Sequence, residues 1–374
     1  MKILVAPDSF KGSLDASRVA EAIARGIRFT RTDADIEIIP LADGGEGTID
    51  AFLFANPSSQ RRTLTVTGPD GCVHETSWLW MPHNGAVGVV ELASTSGIEM
   101  LSAELRPWDA DTAGFGEAVA AALDAGVDRL LLAIGSSAST DGGMGFLSAL
   151  GVRFLDRSGE TVSSGARGLG AVARIDASRM LPPPPGGAAV LTDVTAPLTG
   201  RAGATHIFGP QKGLTRRDIE VVDRNMARYA RLLSEALGTA HEPDLPGAGA
   251  AGGVGFALHC WGARLEPGAK AVAELTGLHE AVAQSQLIVT GEGRFDAQST
   301  TGKVPGLVIA LAEAAGVSVV VIAGDISPDA QVESLSHAIS LTELAGSTEV
   351  AIENAEYWLA EAGRLFNEDR YGEI

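Results

Sequence analysis

The chain has 374 residues, 45% hydrophobic and 20% charged, an ordinary globular composition with room for two domains of roughly 150–200 residues. Its net charge of −19, with no basic stretch to offset it, argues against a nucleic-acid or anionic-membrane partner. Cys72 and Cys260 fit no disulfide framework or CxxC metal site, and no HExxH pair occurs, so a reducing cytoplasm is the expected location.

In chain order, "KILVAPDSF" begins as an apolar strand, and "DASRVAEAIARGI" has helical spacing with a C-terminal stop expected at Gly26. "DIEIIP" reads as a second strand and "EGTIDAFLFA" as a second helix, giving the βαβα opening of a parallel sheet covered by helices. Polarity turns early in "MKILVAPDSF", so no secretory signal is expected. Near residue 63 the character changes. "TLTVTGPDG", "ETSWLWMP" and "AVGVVELA" are alternating or β-branched runs separated by the turn signals "GPDG" and "PHNG", and predict an antiparallel meander. There follow a helix "GEAVAAALDAG", a strand "RLLLAIG", a glycine loop leading into a further helix, a surface connection "LPPPPGG" and a strand "AAVLTDV".

From about residue 270 the opening rhythm returns: helix "AKAVAELTGLHEAVAQS", strand "LIVTGEG", helix "VPGLVIALAEAAG", strand "VSVVVIAGD", a short strand in "HAISLTELA" and a last helix. The nearly uncharged window 306–324 is read as helix, glycine stop and buried strand, not as a membrane span. The simplest architecture is one α/β domain built from both chain ends, residues 1–62 and 276–374, with residues 63–275 inserted as a second α/β domain.

Acidic residues recur in glycine-rich loops after apolar strands. "VAPDSFKGS" holds Asp8 and Lys11, "PLADGGEGT" holds Asp43 and Glu46, "IGSSASTDGGMG" holds Asp141, "LTDVTAPL" holds Asp193 and "FGPQKG" holds Lys212. "VTGEGRFDAQSTTGK" holds Glu292, Arg294, Asp296 and Lys303. Each loop alone reads equally well as a solvated turn or a cap. Repeated at several strand ends, where open α/β sheets bind ligands, the pattern suits phosphoryl transfer. Backbone N–H groups can surround phosphate oxygens, carboxylates can hold Mg²⁺, and lysines can offset moving charge. There is no GxxxxGK[ST] P-loop and no HRD/DFG set. A nicotinamide-dependent oxidoreductase lacks its GxGxxG after the first strand, and a non-catalytic organic-acid binder has little use for so many acids facing an anion.

These strings, with "VELASTSGIEML", "STDGGMGFLSALG", "DVTAPLTGRAGA" and "GAAGGVGF", resemble the bacterial glycerate kinase family, type I, in order over residues 3–325. The resemblance implies a flavodoxin-like parallel-sheet domain plus an inserted α/β domain of restriction-endonuclease-like fold. It implies phosphorylation of D-glycerate, commonly to 2-phosphoglycerate with the 3-phosphate as the alternative, using ATP and Mg²⁺. On that basis Asp193 (as base), Lys11 and Asp43 are expected to be catalytic, and Asp8, Ser9, Lys212 and Arg294 to bind substrate. Gly135, Ser137, Asp141, Gly142 and Gly143 are expected at the nucleotide, and Asp296 and Glu292 at the metal. No nucleic acid or membrane is expected as a partner, and nothing in the sequence sets an oligomeric state. Two departures stand out: Ser136, where the family usually has glycine, and Phe115, where its "GTGE" has threonine; both put loop geometry in question.

Overall fold

The computed structural model describes residues 1–82, 85–101, 104–300 and 303–366. His83 and Asn84 of the predicted "PHNG" turn, and Thr301 and Gly302 of the "STTGK" stretch, lie outside the described residues. The folds are mixed α/β with parallel sheets, and the chain divides into two compact units. The first comprises Met1–Asp43, Asp50–Pro57 and Pro267–Ile374; the second comprises Gly44–Ile49 and Ser58–Glu266.

In the first unit the five strands Lys2–Val5, Asp35–Ile38, Leu287–Phe295, Ser318–Ile326 and His337–Ser340 all pair in parallel. Numbered along the chain, their order across the sheet is 2-1-3-4-5. That order reverses between the first and third strands, and in doubly wound sheets the crevice outside such a switch point is where ligands sit. Ile3, Leu4, Val5, Val289, Val320 and Ile322 are buried in these strands, each fully buried aliphatic side chain contributing ~1.5–3 kcal/mol.

The helix Ala16–Thr30 starts where the Asp15 side chain accepts from the Arg18 N–H at 2.9 Å, a cap that satisfies one of the free amides of the first turn. Its Val19, Ala20, Ile23 and Ile27 face the core. Gly26 does not stop it. The helix runs on to Thr30, and Gly26 sits where it crosses Ala355–Arg364 so closely that a Cβ would lie 2.0 Å from the Ala360 carbonyl oxygen. The predicted helix 269–285 is likewise two helices, Gly268–Thr276 and Leu278–Gln284, broken at Gly277, whose φ of +76° ends the first. The apolar window near 306–324 is the expected helix Val304–Ala315, a left-handed Gly316 and the strand Ser318–Ile326. Among the described residues no helix is long and apolar enough to cross a membrane.

The second unit holds a six-stranded sheet, in the order Arg264–Glu266, Ala188–Leu191, Arg129–Ala133, Ala86–Glu91, Val73–Pro82, Gln60–Thr67. The last three form the predicted antiparallel meander, while the first four pair in parallel. Its core is aromatic at the centre. Phe115 and Phe146 lie 5.6 Å apart, and Trp261 meets Phe146 edge-on at 5.6 Å. Phe115 is therefore fully buried packing in this core.

Candidate active site

The first unit has a cavity of about 340 Å³ at the carboxyl ends of its strands. Asp8, Ser9, Phe10 and Lys11 reach it from beyond the first strand, Asp43 from beyond the second, and Glu292, Gly293 and Arg294 from the end of the third. The backbone holds these segments tightly. The Asp8 N–H donates to the Gly291 carbonyl at 2.8 Å, the Leu41 N–H to the Pro7 carbonyl at 3.0 Å, and the Thr290 hydroxyl to the Ala6 carbonyl at 2.8 Å. Asp296 forms a turn, its carboxylate accepting from the Gln298 N–H at 2.9 Å while its own N–H donates to the Ser299 hydroxyl. That turn leads toward Lys303, whose ammonium lies 3.9 Å from Glu292.

Charge is crowded here. Asp8 is only 5% exposed, and burial, with the Asp43 and Glu292 carboxylates adding like charge, pushes its carboxyl up to about 8 against the pull of the Ser9 N–H and Lys11. Burial raises Glu292 too, although Ser299 and Lys303 draw it back, and its Oε1 is buried with no hydrogen-bond partner. Such carboxylates, desolvated and short of positive charge, are the donors a hard cation takes. Among the described residues no three His, Cys, Asp or Glu groups converge as a complete metal cage. Mg²⁺ fits that arrangement, because it commonly takes one or two carboxylates and completes its shell with phosphate oxygens and water.

The second unit brings together the other predicted loop, with a different result. The strands Arg129–Ala133 and Ala188–Leu191 are neighbours, so the loop 135–143 and Asp193 leave adjacent strand ends. Asp141 is fully buried. Its Oδ2 accepts from the Thr112 N–H at 3.0 Å, the Thr112 hydroxyl at 2.8 Å and the Gly145 N–H at 3.0 Å, and its Oδ1 accepts from the Gly143 N–H at 3.0 Å. The Gly142 N–H donates to the Gly252 carbonyl at 3.0 Å. The amides at Gly142, Gly143 and Gly145 are thus engaged within the protein, and Asp141 braces the loop from inside. Asp141, Gly142 and Gly143, expected at the nucleotide, are in this structure bonded within the protein through the carboxylate and these N–H groups. Gly135 has a close-approach role as well: a Cβ there would lie 2.4 Å from the Gly45 Cα.

Lys212 is the charged group of this loop cluster. It is 3% exposed, and its ammonium donates to the Ser137 hydroxyl at 2.7 Å and the Ser139 carbonyl at 2.5 Å. Burial pulls it down to about 7, with the Asp141 carboxylate acting to hold it up. Asp193 is half-buried, two residues beyond the strand Ala188–Leu191.

Asp8, Ser9, Lys11, Asp43, Glu292, Arg294 and Asp296 therefore share one cavity, while Gly135, Ser137, Asp141, Gly142, Gly143, Asp193 and Lys212 belong to the second unit. Asp325 and Thr342, which also line the cavity, were not singled out from the sequence. The ending "VVVIAGD" carried the signal for Asp325, an apolar strand with glycine and an acid at its carboxyl end.

Comparison with known proteins agrees with this picture. The model of the "Glycerate kinase family" matches residues 3–368. The chain is 39% identical to the glycerate kinase of Bacillus subtilis (strain 168), over 97% of this chain and 96% of that one. It is 41% identical to the glycerate 2-kinase of Escherichia coli (strain K12), over 88% and 86%. A crystal structure of a Salmonella typhimurium LT2 protein assigned as a glycerate kinase 2 superposes with a TM-score of 0.81 at 37% identity, covering 98% of this chain and 96% of that one. The chain belongs to the glycerate kinase family and is a kinase, a phosphotransferase with an alcohol group as acceptor.

Proposed function

We propose that the protein phosphorylates D-glycerate with ATP and Mg²⁺, giving 2-phosphoglycerate and ADP. The observation that carries this reading is the switch-point cavity of the first unit, where Lys11, Arg294 and Lys303 stand among the carboxyls of Asp8, Asp43 and Glu292. The cations suit phosphate oxygens and the glycerate carboxylate, which are anions in a strongly acidic protein. Asp8 is the best-placed proton acceptor: burial raises its proton affinity to about 8, so once ionised it is a strong base for the hydroxyl proton as the oxygen attacks the γ-phosphorus and ADP leaves. Asp193, the base expected from the sequence, belongs to the second unit, whereas Asp8 lines this cavity. Lys11 would offset charge on the transferring group, and Asp43 and Ser9 would orient the glycerate hydroxyls.

Glu292, whose Oε1 is buried without a hydrogen-bond partner, would hold Mg²⁺ with the nearby Asp296 carboxylate, whose Oδ1 accepts within its own turn. The chemistry Mg²⁺ would supply there is positive charge against the charge that develops on the phosphate oxygens. In the second unit, Asp141 would fix the glycine loop, and the Lys212 ammonium, bonded to Ser137 and the Ser139 carbonyl, is that unit's candidate for an anion. The sheet order 2-1-3-4-5 supports a flavodoxin-like first domain. The part-parallel, part-antiparallel sheet supports an inserted second domain of restriction-endonuclease-like fold. The exposed Cys72 and the buried Cys260, both free, suit a cytoplasmic enzyme.

The test is a product assay with ATP, Mg²⁺ and D-glycerate, followed by NMR of the phosphorylated product. ADP and 2-phosphoglycerate are expected, with turnover abolished by EDTA. Predominant 3-phosphoglycerate overturns the regiochemistry alone, whereas no glycerate-dependent ADP overturns the function.

A further inference from the structure

The cavity of the first unit is longer than its charged end. From the segment after the first strand it continues past Glu292 and Arg294 on the third strand and Gly324 and Asp325 on the fourth, and it ends against Leu341 and Thr342 after the fifth. That path crosses three strand spacings, roughly 14 Å, of which a three-carbon acid would cover about one. Its character changes along the way. Lys11, Arg294 and Lys303 mark one end; Leu341, Ala351 and Ile352 line the other, with Thr342 and Thr348 beside them, and of these three apolar residues Ile352 is the exposed one. Ile352 is 54% exposed in the helix Thr348–Glu353, where Val350 is exposed too and Ala351 is buried.

We propose that this apolar arm is the nucleoside subsite, holding the adenine ring against Ile352 while the phosphates run back toward Lys11, Arg294 and Lys303. The inference rests on the ATP-dependent reading above and deepens it. A planar, mostly apolar base needs a slot with few polar groups, and the two threonine hydroxyls supply those few. Thr342 already donates to the Gly324 carbonyl at 2.9 Å, so its oxygen is oriented with its lone pairs left for a donor on the ligand. Asp325, midway between base and phosphates, is placed to accept from ribose hydroxyls. The glycine loop of the second unit is a weaker candidate, because its amides at Gly142, Gly143 and Gly145 are bonded internally.

Binding by the full-length protein tests this without turnover. Isothermal titration with ADP, and separately with inorganic pyrophosphate, compares wild type with Ile352→Gln, a change at an exposed position that thermal unfolding should leave unaffected. The expected result is an ADP Kd raised about tenfold with the pyrophosphate Kd unchanged. Photolabelling with 8-azido-ADP is expected to mark the peptide 341–355. An unchanged ADP Kd in Ile352→Gln, labelling in 135–143 instead, or no ADP binding by the wild type overturns the subsite. The function itself is judged by the product assay: turnover with ATP and glycerate alongside any of those outcomes leaves the kinase standing and removes only this site.

Discussion

The two units place similar residues in similar settings, yet the chemistry available to those residues differs. Asp8 and Asp141 both follow buried parallel strands in glycine-containing loops. Asp141 has four donors on its two oxygens and no exposure. Asp8 has the Ser9 N–H at 2.6 Å, like-charged neighbours and a cavity in front of it. A buried carboxylate saturated by backbone N–H groups is a structural part, whereas one surrounded by other acids stores electrostatic cost that only a ligand, a metal or a proton can relieve. Strand-end acids therefore divide by what already occupies their lone pairs.

The sharpest test of that division replaces Asp8 by Asn. Loss of the proton acceptor is expected to lower kcat by roughly 10²–10⁴, while Asp193→Asn changes kcat far less. The same variant should gain stability in the absence of ligands. With the folded carboxyl near 8 and the unfolded one near 3.8, the folded state holds a proton over that range that the unfolded state has lost, so wild-type stability falls as pH rises between them. Asp8→Asn removes the fall. A thermal midpoint at pH 8 that does not exceed the wild type's, or a kcat near the wild-type value, would assign the base role elsewhere.

The opposite signature is expected at Asp141. Asp141→Asn puts an amide donor against backbone N–H groups, leaving at least one buried donor unsatisfied, at a cost of ~2–4 kcal/mol. Urea unfolding should show this as a lower midpoint with an unchanged slope. If Asp141→Asn is as stable as wild type and loses nucleotide affinity instead, the loop contacts the ligand directly and the contrast between the units fails.

Lys212 gives a smaller, pH-dependent effect. Its folded ammonium titrates near 7 and an unfolded one near 10.5, so between those values the unfolded state binds more protons and stability rises with pH. Below 7 the full cost of burying the charge is present. Lys212→Met is expected to flatten the rise from pH 7 to 10 relative to wild type, and to raise the KM for glycerate if the ammonium receives its carboxylate. An unchanged pH profile of the unfolding free energy would mean that Lys212 is charged and well compensated where it lies.

Strand and helix positions were legible because apolar periodicity is local: the βαβα opening, the meander after residue 60 and the helix–Gly316–strand run all follow from spacing. Gly26 misled because a glycine at a helix stop and one at a helix crossing look alike in sequence, and only the approach of Ala360 separates them. The site was legible to the level of which loops carry charge. Whether Asp141 or Asp8 is saturated depends in part on distant groups, Thr112 for Asp141 at 29 residues along the chain and Glu292 for Asp8, and no local pattern encodes those. Asp193 drew attention as the acid at a strand end, but in the structure the strand Ala188–Leu191 stops short of it.

Ser136 offers the smallest effect and the finest test of how stiff the second unit's loop is. Its φ of +58° is in the left-handed region, where a Cβ costs roughly 1–2 kcal/mol, and the conformation is pinned by the Ile98 N–H donating to its carbonyl at 2.8 Å and by the close approach at Gly135 next to it. The family resemblance places glycine here, and the backbone has kept a shape that glycine adopts without strain. Ser136→Gly should relieve that cost while adding freedom to the unfolded chain worth about 0.5–1 kcal/mol, for a net gain of about 0.5–1 kcal/mol. Urea unfolding would register this as a higher midpoint, with kcat and the ADP Kd within twofold of wild type. A lower midpoint would mean that the Ser136 side chain contributes more than its backbone strain costs, and that serine at this position is an adaptation of the loop and not a tolerated departure.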